Sequence, residues 1–299
     1  MTMSGIAQEV DHERMDTMTL GADDLTALHG CVTDGTLELL YQPEIELATG
    51  AIVAMEGLLR WHHRDLGILR PLEFLDLAER SGEIGPIGQW VLEAGASEAA
   101  KWQAGPGDAR QLWLNVSPTQ LADPEFPSRV ATVIADFGLP PGMLGLELTE
   151  AALSFLGADA LAILTRLRAA GAALAIDDFG TWYSSLGAFE QLPLDAVKLD
   201  HRYVRGVGGD LEDDTIVAAV IALAHARGLY VVAEGVESWS ESARLTDLGC
   251  DRAHGFLFAS PQRADRARWL LCQGAGWRGQ IVTPEVHSSA FVPSPRALP

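Results

Sequence analysis

The sequence predicts an α/β fold of the (β/α)8 TIM-like barrel class with one strand antiparallel, and three observations predict it. Short apolar runs ending in polar residues alternate with amphipathic stretches over roughly 250 residues, which is the repeat of such a barrel. Gly138, Gly171, Gly228 and Gly249 each follow a helical stretch, where a chain leaving a helix takes the left-handed conformation. The first two apolar runs are separated only by Ala48-Thr49-Gly50, a gap too short for a parallel crossover.

In chain order, the runs at 37–42, 51–56, 112–115, 145–147, 173–177, 196–199, 230–234 and 255–258 are the expected strands. Between most of them fall expected helices at 84–103, 118–137, 151–170, 214–227 and 238–248. Residues 1–26 are polar and Met-rich and are expected to form a flexible arm. The barrel is expected over 27–271, and the Pro- and Ser-containing segment 272–299 is expected to be a flexible tail.

The chain has 41 acidic against 21 basic residues, a formal charge of −20. So acidic a surface repels nucleic-acid backbones and anionic lipid, which argues against DNA or a membrane as partner. An anionic small substrate requires bound cations to cancel carboxylates locally. Cys31, Cys250 and Cys272 lie far apart and read as reduced thiols, and Glu9, Asp11, Glu13 and Asp16 exclude a secretory apolar core near the start. The apolar run 216–224 is too short to span a bilayer, so a soluble, cytoplasmic protein is expected.

Polar residues gather at one place in the strand pattern. Glu56, Asn115, Glu147, Asp177, Lys198 and Glu234 each close an apolar run at its C-terminal end. In a barrel those ends converge on the face that carries the active site. Strand-to-loop boundaries by themselves would explain Ser or Gly there, but explain six acids, amides and lysines poorly. Four carboxylates at one mouth repel unless divalent cations hold them, and oxygen donors without cysteine suit Mg²⁺ or Mn²⁺. The Asp177-Asp178 pair at a strand end is able to serve two metals, which together activate water and clamp an in-line displacement. Lys198 is suited to hold a nucleophilic water or a phosphate, and Glu234 to ligate metal or act as general base. The residues alone support metal-assisted hydrolysis or enolisation, with no substrate named.

Read as strings, the same residues resemble the EAL phosphodiesterase family over about residues 27–271. Tyr41-Gln42-Pro43, Glu56-Gly57-Leu58-Leu59-Arg60-Trp61, Asn115-Val116-Ser117 and Glu147-Leu148-Thr149-Glu150 match its motifs in order. Asp177-Asp178-Phe179-Gly180, Lys198-Leu199-Asp200 and Ala233-Glu234-Gly235-Val236-Glu237 complete the run. The resemblance implies that Glu56, Asn115, Glu147, Asp177 and Asp178 bind two Mg²⁺ or Mn²⁺ ions, with Lys198 orienting the attacking water and Glu234 as metal-associated base. It implies substrate contacts for Gln42, Arg60, Asp200 and His254, and supporting roles for Glu150, which holds the loop after Asp178, and Glu237. The implied reaction hydrolyses cyclic di-GMP to linear pGpG, and the implied assembly is a homodimer formed through the loop and helix near the Asp-Asp strand. A regulatory protein partner, if one exists, is not identified.

Three positions depart from the family pattern: Gly57 stands for the usual Ala, His254 for Gln, and Trp182 for a loop Gly. His62-His63 is expected on a solvated loop, and Trp61, Trp90 and Trp102 in the core. Two alternatives stay open at the level of sequence: a receptor that binds cyclic di-GMP without cleaving it, and a weakly active enzyme gated through the loop at Trp182. A magnesium-dependent lyase on a similar barrel leaves Tyr41-Gln42-Pro43 and Glu147-Leu148-Thr149-Glu150 unexplained.

Overall fold

The computed structural model describes residues 20–103, 110–179, 191–209 and 211–272. Trp182 and its neighbours Gly180, Thr181, Tyr183, Ser184 and Ser185 lie outside the described residues, as do most of the expected arm and tail. Among the described residues the chain divides into a larger unit, 39–58 with 91–272, and a smaller one, 20–38 with 59–90.

The strands are β1 (Leu37–Glu46), β2 (Ile52–His63), β3 (Gly67–Leu69), β4 (Gln111–Asn115), β5 (Leu144–Thr149), β6 (Ala173–Phe179), β7 (Ala196–Leu199), β8 (Tyr230–Ala233) and β9 (Arg252–Ala253). Eight of them close a barrel in the order β1-β9-β8-β7-β6-β5-β4-β2, with β1 returning to β2. β2 and β4 to β9 run parallel, whereas β1 pairs antiparallel with β9 through Ile45 opposite Ala253. The hairpin between β1 and β2 is fastened by Glu46 N donating to Ala51 O at 2.9 Å. The class expected from the sequence, with its one antiparallel strand, is the class observed.

The barrel interior is filled from below by Trp113, which packs with Ala54, Ala173, Ala175, Ala196 and half-buried Tyr230. The alanines are small because one indole occupies the space that several larger side chains would need. Gly145 belongs to the same arrangement, since a Cβ there would lie 2.1 Å from the Trp113 ring. Helices follow the strands, including Phe126–Asp136, Ala160–Ala169, Leu211–Ala226 and Trp239–Asp247. The four helix-end glycines all have positive φ, as their positions predict.

Several elements differ from the sequence reading. The stretch 255–258 is not a strand; β9 precedes it and the chain then turns across Val236. Gly255 has φ +154° and lies so close to the Val236 backbone that a Cβ would meet Val236 O at 2.2 Å. The expected helix 118–137 is two helices, Pro118–Leu121 and Phe126–Asp136, because Pro124 offers no N–H and restricts Asp123. The expected helix 151–170 breaks at Gly157, whose φ is +56°. The helices Ala22–Gly30, Pro71–Ser81, His201–Gly206 and Ala264–Cys272 had no counterpart in the reading of periodicity, most being too short to declare one. The first of these takes up positions that the sequence assigns to the end of the arm.

In the smaller unit, β2 extends past Glu56 and pairs with β3, placing Trp61 opposite Leu69. His62 and His63 therefore lie on a strand and not on a solvated loop, and His63 is buried. Its Nδ1 accepts from the backbone N–H groups of Asp65 and Leu66, both at 3.2 Å, which shapes the turn into β3. Trp61 packs edge-on against Phe74 of the Pro71–Ser81 helix, with centroids 5.4 Å apart. Trp61 and Trp102 are buried as expected, and Trp90 is half-buried. No helix among the described residues is long and apolar enough to cross a membrane.

Candidate active site

The site follows from the period of two along each strand. Side chains two residues apart share a face, so the residue after next from each core position again points into the barrel. Two residues beyond Ala54, Trp113, Gly145, Ala175 and Ala196 stand Glu56, Asn115, Glu147, Asp177 and Lys198. The apolar plug is thus overlaid by a polar layer at the C-terminal end of the strands.

Lys198 is the centre of that layer. Its Nζ lies 2.7 Å from Glu234 Oε1, 2.9 Å from Glu147 Oε1 and 3.2 Å from Glu56 Oε2, and the side chain is only 2% exposed. Burial alone would push the ammonium down, but Glu147, Glu234 and Glu56 outweigh it and hold it well above the ordinary lysine range. Lys198 is therefore a cation whenever those carboxylates are charged.

The carboxylates divide into two kinds. Burial works against the charge on Glu56, but Lys198 and His254 win and lower its pKa, helped by Asn115 Nδ2 donating to Oε1 at 2.9 Å. Glu234 is likewise held well below the usual range against its burial, by Lys198 and by a 3.1 Å hydrogen bond with His254 Nε2. Glu147 goes the other way: burial first, then the charge of Glu56, pushes it well above the usual range. Its Oε1 is paired with Lys198 Nζ at 2.9 Å, which offsets only part of that rise, and Oε2 has no hydrogen-bond partner among the described residues. Asp177 is also pushed well up, by burial and by Glu234.

Asp178 shows how the local backbone serves the site. The ladder between β6 and β7 shifts register between Ile176 and Phe179, and Asp178 takes φ +55°, the one positive φ outside glycine among the described residues. A bulge of this kind re-aims side chains that would otherwise diverge. Here it leaves ligand atoms of Asp177, Asp178 and Glu234 within 4.8 Å of one another. Burial, Glu234 and a hydrogen bond to Asp200 raise Asp178 to about 6.

Ligand atoms of Glu56, Glu234 and His254, one from each, also lie within 4.8 Å of one another. Five carboxylates face one lysine and one histidine, and buried Glu147 shares that lysine with Glu56 and Glu234. Oxygen-rich and under-compensated in charge, the donor set fits divalent cations.

The remaining expected residues fall as follows. Gln42, on β1, is buried and donates to Ala259 O at 2.9 Å, which ties β1 to the chain after β9. Asp200 caps the His201–Gly206 helix, accepting from Arg202 N at 2.7 Å. Glu150 is buried at the start of the Glu150–Leu156 helix, and the loop it was expected to hold lies outside the described residues. Glu237 is not in the cluster; its Oε1 lies 3.8 Å from Arg205. Arg60 belongs to the smaller unit, where Nη1 donates to Leu59 O at 2.8 Å. Sequence reading missed the layer below the site, where Arg252 pairs with Glu44 at 2.8 Å and stacks 3.7 Å over the Tyr230 ring. The signal was available: Glu44 and Arg252 are charges in strand positions facing inward two residues from Gln42 and His254.

Known proteins are similar to this chain over most of its length. Cyclic di-GMP phosphodiesterase MucR of Pseudomonas aeruginosa, a bifunctional protein that is also a diguanylate cyclase, is 38% identical over 231 residues, 77% of this chain and 34% of the relative. A cyclic di-GMP phosphodiesterase of the same organism is 35% identical over 248 residues, 82% of this chain and 42% of the relative. The chain therefore spans less than half the length of either. A solved structure of the PaMucR phosphodiesterase in complex with c-di-GMP superposes with a TM-score of 0.78 at 35% identity, covering 81% of this chain and 98% of that one. The family model described as EAL domain matches residues 26–261, so this chain belongs to the EAL domain family.

Proposed function

We propose that this chain is a metal-dependent phosphodiesterase that hydrolyses cyclic di-GMP to linear pGpG. The observation that carries the reading is a buried lysine ammonium within 3.2 Å of three carboxylates at the C-terminal face of the barrel. The names of its relatives, and the cyclic dinucleotide bound to the similar solved domain, supply the substrate class.

In this reading Glu56, Asn115, Glu147, Asp177 and Asp178 hold two Mg²⁺ or Mn²⁺ ions. When bound, the ions supply charge neutralisation at the phosphate and a more acidic water. Lys198 donates a hydrogen bond that keeps the attacking water in line with phosphorus. Glu234, kept ionised beside Lys198, accepts the proton of that water. The water oxygen bonds to phosphorus while the bond from phosphorus to the ribose 3′ oxygen breaks, and the leaving oxygen takes a proton. Arg60 makes a charge-assisted contact to a phosphate, and Gln42 and Asp200 border the substrate.

The test is incubation of the purified chain with cyclic di-GMP and Mn²⁺, with products separated by chromatography. The reading expects pGpG, none of it in excess EDTA, and recovery when metal is restored. Tight binding without any product would make the chain a receptor.

A further inference from the structure

The way out of the polar layer along β7 carries a guanidinium that the proposed reaction leaves without a task. Lys198, Asp200 and Arg202 are alternate residues, and their side chains go from 2% to 7% to 61% exposed. They mark a line from the floor of the site to its rim. Asp200 is joined to the site by its hydrogen bond with Asp178, the residue that the β6 bulge re-aims. Asp178 in turn lies close enough to Arg202 to act on its charge. The Asp200 and Arg202 pair therefore stands beside a candidate metal ligand and not on a remote surface.

Asp200 holds that guanidinium side-on. Its Oδ1 accepts from Arg202 Nε at 3.0 Å and from Arg202 backbone N at 2.7 Å, and Oδ2 accepts from Nη2 at 3.5 Å. This grip uses the Nε–H and one N–H of Nη2. The other edge, formed by Nη1 and the second N–H of Nη2, is turned away from the carboxylate and meets no acceptor among the described residues. Arg205, on the same helix, is directed to Glu237 at 3.8 Å and leaves the position to Arg202. Two parallel N–H donors held in one plane match two acceptors side by side on a planar group, and O6 and N7 of guanine are such a pair.

We infer that Arg202, oriented by Asp200, reads the O6 and N7 edge of one guanine of the cyclic dinucleotide and sets the preference of the site for guanine over adenine. The inference rests on the substrate proposed above and adds the residue that chooses the base. Adenine offers N7 but places an amino donor at position 6, against a guanidinium that has only donors. The metals, Lys198 and Arg60 act on phosphates, which guanine and adenine cyclic dinucleotides share, so they leave the choice of base to another group.

The experiment compares cyclic di-GMP with cyclic di-AMP on the whole chain, on Arg202→Met and on Arg202→Lys, with Mn²⁺ present. Calorimetry gives the affinities, and chromatography of products gives kcat/KM for each dinucleotide. The expected result is a parent preference for cyclic di-GMP that shrinks on the order of tenfold or more in Arg202→Met. Weaker binding of cyclic di-GMP should carry that change, with binding of cyclic di-AMP little altered. Arg202→Lys, which lacks the fork, should recover little of the preference. Equal loss for both dinucleotides overturns the inference, because it would show a phosphate contact or a disturbed Asp200. A preference that is absent from the parent, or unchanged in Arg202→Met, overturns it too. A preference in binding that depends on Arg202, in a parent that yields no pGpG, supports the inference and defeats the proposed cleavage. Cleavage with a preference indifferent to Arg202 does the reverse, and a parent that binds neither dinucleotide defeats both.

Discussion

At the scale of single residues, Lys198 and Asp178 make opposite demands on the stability of the metal-free chain. Lys198 is a buried cation among carboxylates, and breaking such a pair costs about 3–5 kcal/mol because it strands the partners. Lys198→Met, close in volume, should therefore melt well below the parent in EDTA and recover much of the loss when Mn²⁺ neutralises the carboxylates. Turnover should fall at least about a hundredfold. Differential scanning fluorimetry with and without metal checks the first point, and an equal loss in both conditions would contradict it. Asp178 has its pKa raised from 3.8 to about 6. A carboxyl that holds its proton more tightly when folded contributes stability that is complete below 3.8 and lost as pH rises through about 6. Asp178→Asn should thus raise the metal-free melting temperature more at pH 8 than at pH 4. A pH series of melts in EDTA reads the difference, and a uniform shift would place the strain elsewhere. The convergence of Glu56, Asn115, Glu147, Asp177, Lys198 and Glu234 was legible in the sequence because each closes an apolar run. Their protonation was not, since it depends on distances across strands far apart in the chain.

At the scale of elements, the strands were read well and their ends less so. β7 matches its expected span because a short buried run has nowhere else to go. β2 overran its expected end, since Glu56 closes only the barrel-forming part and the residues beyond pair with β3. The turn at 255–258 was taken for a strand because Phe256, Leu257 and Phe258 form an apolar run, yet Leu257 N donates to Val236 O and the run stays outside the sheet. Aiming Asp177 and Asp178 together required the register shift in β6, a feature with no sequence signature of its own. Gly145 is the element-level counterpart of these site residues, because the position opposite Trp113 admits no side chain. A Cβ there would lie 2.1 Å from the indole, so Gly145→Ala should cost about 1–3 kcal/mol. Trp113→Phe in the same chain should restore part of it. Urea unfolding measures both, and a cost near zero for Gly145→Ala would mean that Trp113 is not pressed against β5.

For the whole molecule, the formal charge of −20 and the acidic mouth of the barrel belong to one account. A dianionic nucleotide approaches such a chain productively only where bound cations reverse the local sign. The barrel class, its antiparallel strand and its family were legible from the hairpin gap and the motif order. The loop bearing Trp182 lies outside the described residues. The central claim is that water attacks phosphorus within the ring formed by Glu56, Glu147, Asp177, Lys198 and Glu234. Single-turnover reaction of cyclic di-GMP with excess chain and Mn²⁺ in ¹⁸O-labelled water tests it most directly, with mass spectrometry of the product. The account predicts pGpG with one ¹⁸O in its terminal phosphate, formed by the parent and absent with Asp177→Asn at limiting metal. Bound cyclic di-GMP that stays unlabelled and uncleaved in the parent would contradict it.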